Sequence, residues 1–166
     1  MLIIMSGLPG VGKTTLARQL ARQLGAVHVR IDSIEQAIRE SGVFALSLDD
    51  AGYRAGYAIA QDNLGLGHTV IADCVNPLPV TRNAWVDVAS RAQVGATEIE
   101  ITCSDPQEHR RRVETRATDI PGLRLPTWQE VIERDYRPWD RERLVIDTAG
   151  GSLEQHLQTL RAALVS

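Results

Sequence analysis

Nine residues near the amino terminus, Gly7-Leu8-Pro9-Gly10-Val11-Gly12-Lys13-Thr14-Thr15, constrain this chain more than any other stretch. They follow the apolar run Leu2-Ile3-Ile4-Met5 and precede Leu16, Leu20 and Leu24, which recur every four residues as on one side of a helix. Strand, glycine loop and helix are the context that the pattern G-x-x-x-x-G-K-[ST] needs before it carries meaning. Glycines let the backbone turn so that successive N–H groups point at phosphate oxygens, and the helix N-terminus adds a positive dipole end. Lys13 would reach the β- and γ-phosphates and Thr14 would hold Mg²⁺. The competing reading is a glycine-rich turn that binds nothing; the complete motif with both flanks favours a nucleoside triphosphate, with residues Gly7 to Thr15 as its cradle.

With 166 residues the chain has room for one domain, spanning 1–166, and one core. No apolar run approaches the roughly 20 residues of a membrane helix. Met1 to Met5 lacks a basic flank and reads as a strand, not a leader, so a cytoplasmic protein that does not engage membrane is expected. Cys74 and Cys103 are too few for a disulfide framework. A net charge of −3 and a pI near 5.8 argue against a general nucleic-acid binder, which needs a basic footprint. Three Trp, three Tyr and one Phe give little for base stacking. His28, His68, His109 and His156 lack ligand spacing, so the only metal expected is the nucleotide's Mg²⁺.

Beyond the loop, strands alternate with helices. Ala26 to Ile31 alternates as a strand, with Asp32-Ser33 as cap of a helix from Ile34 to Glu40. A loop through Leu48-Asp49-Asp50 leads to a helix over Tyr53 to Leu66, and His68 to Asp73 is the third strand. Helices over Leu78–Arg91, from Ser104-Asp105-Pro106, and from Trp128 to about Tyr136 behind a Thr127 cap surround a fourth strand at Ala96–Cys103. Leu144 to Thr148 is the fifth strand and a last helix ends near Val165. The fold class expected is α/β, a parallel sheet covered on both faces. Such sheets bind ligands at the carboxyl ends of their strands, where Gly7, Asp32, Asp73, Cys103 and Thr148 fall.

Asp32, after strand two, suits a base that accepts the proton of an attacking hydroxyl; a helix cap is the competing reading. Asp73, ending strand three, can hold a water of the Mg²⁺ shell. Asn76 lies close behind it. Arg112 and Arg116, four apart, would share a helix face and close over a triphosphate as part of a lid at about 110–126, whereas Arg110 and Arg111 suit ion pairs with Glu108 and Glu114. Thr148 and the loop after it would pack against the base. Glu35, Asp49, Asp50, Tyr53, Arg54 and Tyr57 gather on the acceptor side.

Together these residues resemble the small P-loop kinases of the AAA-family ATP-binding type, whose relatives include the polynucleotide 5′-hydroxyl kinase domain, chloramphenicol phosphotransferase, gluconate kinase and zeta toxin. Val70-Ile71-Ala72-Asp73 through Asn76-Pro77, then Arg82 and Trp85, is similar to the polynucleotide kinase stretch, as is the Arg112-x-x-x-Arg116 spacing. The resemblance implies a P-loop NTPase sandwich with strand order 2-3-1-4-5, ATP and Mg²⁺, and transfer to a hydroxyl with Asp32 as base. Where the polynucleotide kinases carry an arginine three residues after that base, this chain has Glu35, which would repel a phosphate. The reading is therefore a small-molecule kinase, monomeric or homodimeric, with a neutral or cationic polar acceptor held near Asp32, Glu35, Tyr53 and Asn76. A nucleic-acid or nucleoside 5′-hydroxyl kinase and a slowly hydrolysing ATPase switch are the alternatives.

Overall fold

The computed structural model describes residues 1–42 and 50–165. Five parallel strands form one sheet in the order β2-β3-β1-β4-β5, with β1 Leu2–Ser6, β2 Val27–Arg30, β3 Val70–Asp73, β4 Ala96–Thr102 and β5 Leu144–Asp147. The central strand β1 pairs with both β3 and β4 and is buried throughout, as its continuous apolar sequence requires. Ile3 and Met5 face α1 (Lys13–Leu24) and α7 (Leu153–Val165), in a core with Leu16, Leu20 and Leu160. Leu2 and Ile4 face the opposite layer of α3 (Ala51–Gly65) and α4 (Pro79–Arg91), with Ala60, Leu64, Trp85 and Val88. Leu24, expected on the buried stripe of α1, is 42% exposed, because Gly25 ends the helix in a left-handed turn one residue later. No described helix is long and apolar enough to cross a membrane.

The second helix corrects one expectation. α2 spans Ile31–Glu40 and follows β2 without a loop, so Asp32 sits in its first turn instead of capping it. Burial explains the early start: Ile31 packs into a notch that exists only because residue 56 is glycine, where a Cβ would lie 2.4 Å from Ile31 Cδ1. α5 (Pro106–Thr115) starts as expected, with the Asp105 side chain accepting from Gln107 and Glu108 N–H groups. α6 (Trp128–Ile132) starts at a Thr127–Glu130 capping box but ends four residues short of Tyr136. Tyr136 is drawn instead to β4, donating to Glu100 Oε1 at 3.0 Å.

The chain from Tyr136 to Arg143 then closes a polar gap over the sheet. Glu98 and Glu100 project from β4 on the face that α4 covers only in part, and Arg141 and Arg143 pair with them at 2.5 and 2.7 Å. Arg82 of α4, fully buried, donates to the carbonyls of Asn76, Pro77, Arg137 and Pro138 at 2.8–3.1 Å and stacks 4.1 Å from the Trp139 ring centroid. Arg82 thus ties the turn after β3, which borders the cleft, to the segment Arg137–Pro138.

Candidate active site

The glycine loop closes at the carboxyl end of β1. Gly7, Gly10 and Gly12 all take positive φ, of 139°, 87° and 96°. At Gly7 the constraint is doubled, since a Cβ would lie 2.2 Å from the Ile101 carbonyl oxygen. Gly12 starts α1 without a side-chain cap, which leaves the first N–H groups of the helix available to a ligand. Lys13 is buried and donates to the Leu8 carbonyl at 2.9 Å. Burial lowers its pKa, opposed by the charges of Asp73 and Asp32. The outside of the loop is held by two side chains: His109 Nε2 lies 2.8 Å from the Pro9 carbonyl oxygen, and the Thr148 hydroxyl lies 2.8 Å from that of Val11.

Asp73 ends β3 with 3% of its surface exposed. Burial alone would raise its carboxyl, but a hydrogen bond with His28, the charge of Lys13 and the hydroxyl of Thr14 together hold it below the ordinary value. His28 Nε2 lies 3.1 Å from Asp73 Oδ2. An ionised acid beside Thr14 fits a hard cation that takes most of its ligands from phosphate and water. The described residues hold no group of three or more His, Cys, Asp or Glu that could hold a metal ion.

One cleft of about 1740 Å³ joins the glycine loop to α2, the turn after β3 and the segment following α5. Asp32 lines it, close enough to Lys13 and Arg116 to shift both. Glu35 and Tyr53 line it too. Burial raises the Glu35 carboxyl, with Arg39 opposing from 3.4 Å. Tyr53 accepts the Asn76 N–H at 2.9 Å. Asn76 itself is not brought to the cleft: it is fully buried in a left-handed turn at φ 52°, and its amide donates to Ser6 Oγ. Asp49 lies outside the described residues.

The two arginines also separate. α5 ends at Thr115, so Arg116 has extended backbone and does not continue the helical face of Arg112. Arg112 spends its guanidinium on Glu108 Oε1 and on the hydroxyl and carbonyl of Thr148, at 2.7, 2.8 and 2.8 Å. Arg116 points its charge into the cleft near Asp32, and its buried Nε has no hydrogen-bond partner among the described residues. Burial lowers its pKa, with Arg30 adding to the effect and Asp32 opposing it. Arg110 and Arg111 pair with Glu114 and Glu108, as the spacing predicts. Farther along, Asp119 pairs with Arg18 and Arg30.

Sequence reasoning gave His28 and His109 no role. For His28 no local signal exists, since its partner is 45 residues away on the neighbouring strand. For His109 a faint signal exists: it lies four residues before Val113, and both side chains are buried against the glycine loop at Gly10.

A model of the family described as AAA domain matches residues 2–134. Among curated proteins, the shikimate kinase of Corynebacterium glutamicum is 28% identical over 146 residues, covering 78% of this chain and 82% of that protein. Among solved structures, the Mycobacterium tuberculosis APS kinase CysC in complex with AMPPNP and APS superposes with a TM-score of 0.73 at 18% identity, over 99% of this chain and 97% of its own. Chaetomium thermophilum Kti12 in complex with ADP-AlF3 gives 0.67 at 23% identity over both full lengths.

Proposed function

The chain belongs to the AAA domain family and has the fold of the small P-loop kinases, and from that premise we propose that it transfers the γ-phosphoryl group of ATP to a hydroxyl of a small molecule. The observation that carries this reading is the opening of Lys13, Thr14, Asp32, Asp73 and Arg116 onto one cleft. ATP would lie with its phosphates in the loop from Gly7 to Thr15 and its base toward Thr148. Lys13 would exchange the Leu8 carbonyl for the β- and γ-phosphates. Thr14 directly, and Asp73 through water, would hold Mg²⁺, which when bound spreads the phosphate charge.

The acceptor enters between α2 and α3, beside Glu35 and Tyr53. Asp32 takes the hydroxyl proton as the acceptor oxygen bonds to the γ-phosphorus. The bond from that phosphorus to the β–γ bridging oxygen breaks, and ADP leaves with the electron pair. Arg116 balances charge on the transferring group. Arg112, fully engaged with Glu108 and Thr148, positions the base-side loop instead. The segment from Arg110 to Pro126 serves as the lid. Glu35 lines the cleft with its carboxyl raised by burial, which favours a hydrogen bond to a neutral polyol or nucleoside over a phosphorylated acceptor.

ATP consumption with Mg²⁺ against sugars, nucleosides, aminoglycosides and 5′-hydroxyl oligonucleotides tests the reading. Acceptor-dependent turnover that falls about 10²–10⁴-fold in Asp32→Asn, with ATP binding retained, is expected. The likeness to Kti12 in fold keeps an ATPase switch as the second reading; turnover indifferent both to every acceptor and to Asp32 would select it.

A further inference from the structure

We infer that His109 and Thr148 form an outer clamp that sets the phosphate cradle before any nucleotide arrives, making His109 a positioning residue for triphosphate binding. The inference rests on the ATP-binding reading above. In a trans peptide the C=O and the following N–H point in opposite directions. His109 holds the Pro9 carbonyl outward at 2.8 Å, which turns the N–H of Gly10 toward the inside of the loop. The Thr148 hydroxyl, shared between the carbonyls of Val11 at 2.8 Å and Thr102 at 3.0 Å, does the same for the N–H of Gly12. The preceding Leu8–Pro9 peptide has no N–H to aim, and its carbonyl is the one Lys13 holds. Outward bonds therefore fall on the peptides that carry the N–H groups of Gly10 and Gly12, while the N–H of Gly7, the loop's other positive-φ glycine, donates to the Val75 carbonyl at 3.1 Å.

The clamp is itself held. The His109 ring stands edge-on to Trp128 at 5.1 Å, and a Cβ on Gly10 would lie 2.6 Å from Val113 Cγ2, so α5 is pressed against the loop. Arg112, one turn beyond His109 on α5, donates to both oxygens of Thr148. One helix thus fixes both outward contacts, and the cradle loses no ordering entropy on binding that the apo fold has already given up.

Titration calorimetry with ATP and with inorganic tripolyphosphate tests this on wild type, His109→Leu, His109→Gln, Thr148→Val and Thr148→Ser, alongside the nucleotide-free thermal midpoint. His109→Leu and Thr148→Val, which keep bulk and lose the donor, are expected to weaken both ligands about tenfold. His109→Gln and Thr148→Ser, which restore a donor, should recover to within about threefold. Unchanged affinity for both ligands in His109→Leu overturns the clamp, as does Gln failing to rescue while both variants lose the same thermal stability. No binding of ATP by the wild type would instead overturn the kinase reading and the clamp with it.

Discussion

Asp73, buried beside Lys13 and His28, carries a pH signature. The folded-state carboxyl of Asp73 lies below its ordinary 3.8, so its contribution to stability is full above the unfolded value and is lost as pH falls through the folded one. The urea midpoint should therefore change little from this group between about pH 7 and pH 5 and fall below about pH 4, and Asp73→Asn should flatten that acid limb. The arginines make a second contrast. Arg116→Ala should lower kcat about 10²-fold with ATP affinity nearly intact, because its charge faces the cleft and its Nε has no hydrogen-bond partner among the described residues. Arg112→Ala should act mainly on nucleotide affinity, through the Thr148 bonds it removes. Separate measurement of kcat and ATP affinity for the two variants checks both. The contrast between the two was not legible from the spacing of four, which assumed one helical face where the helix in fact stops at Thr115.

At the scale of elements, local chemistry announced the starts better than the ends. Asp105 and Thr127 cap their helices as their side chains allow, and β1, β3 and β4 follow their apolar or β-branched runs. The start of α2 and the end of α6 escaped because contacts distant in sequence decide them: Ile31 against Gly56, and Tyr136 against Glu100. The glycine loop was legible because it is contiguous. Its outer clamp was not, since His109 and Thr148 meet it only after β4 and β5 have paired. Arg82 belongs to the same class. Replacing it with Met would take a donor from four carbonyls, of which Pro77 keeps the Arg137 N–H, and remove the stack on Trp139, so Arg82→Met is expected to destabilise the fold by about 3 kcal/mol in urea denaturation.

Across the whole molecule, two buried layers hold the carboxyl ends of β1, β2 and β3 together, so Asp32, the glycine loop and Asp73, the proposed proton acceptor, phosphate cradle and cation site, face one space. The division between kinase and ATPase lies in where the phosphoryl group goes. Following isotopically labelled γ-phosphate from ATP, with the acceptor that stimulates turnover most, reads this directly in wild type and Asp32→Asn. The account predicts label on the organic acceptor, stoichiometric with ADP, and a rate reduced about 10²–10⁴-fold by the substitution. Label released only as inorganic phosphate, at the same rate in both proteins, would contradict it.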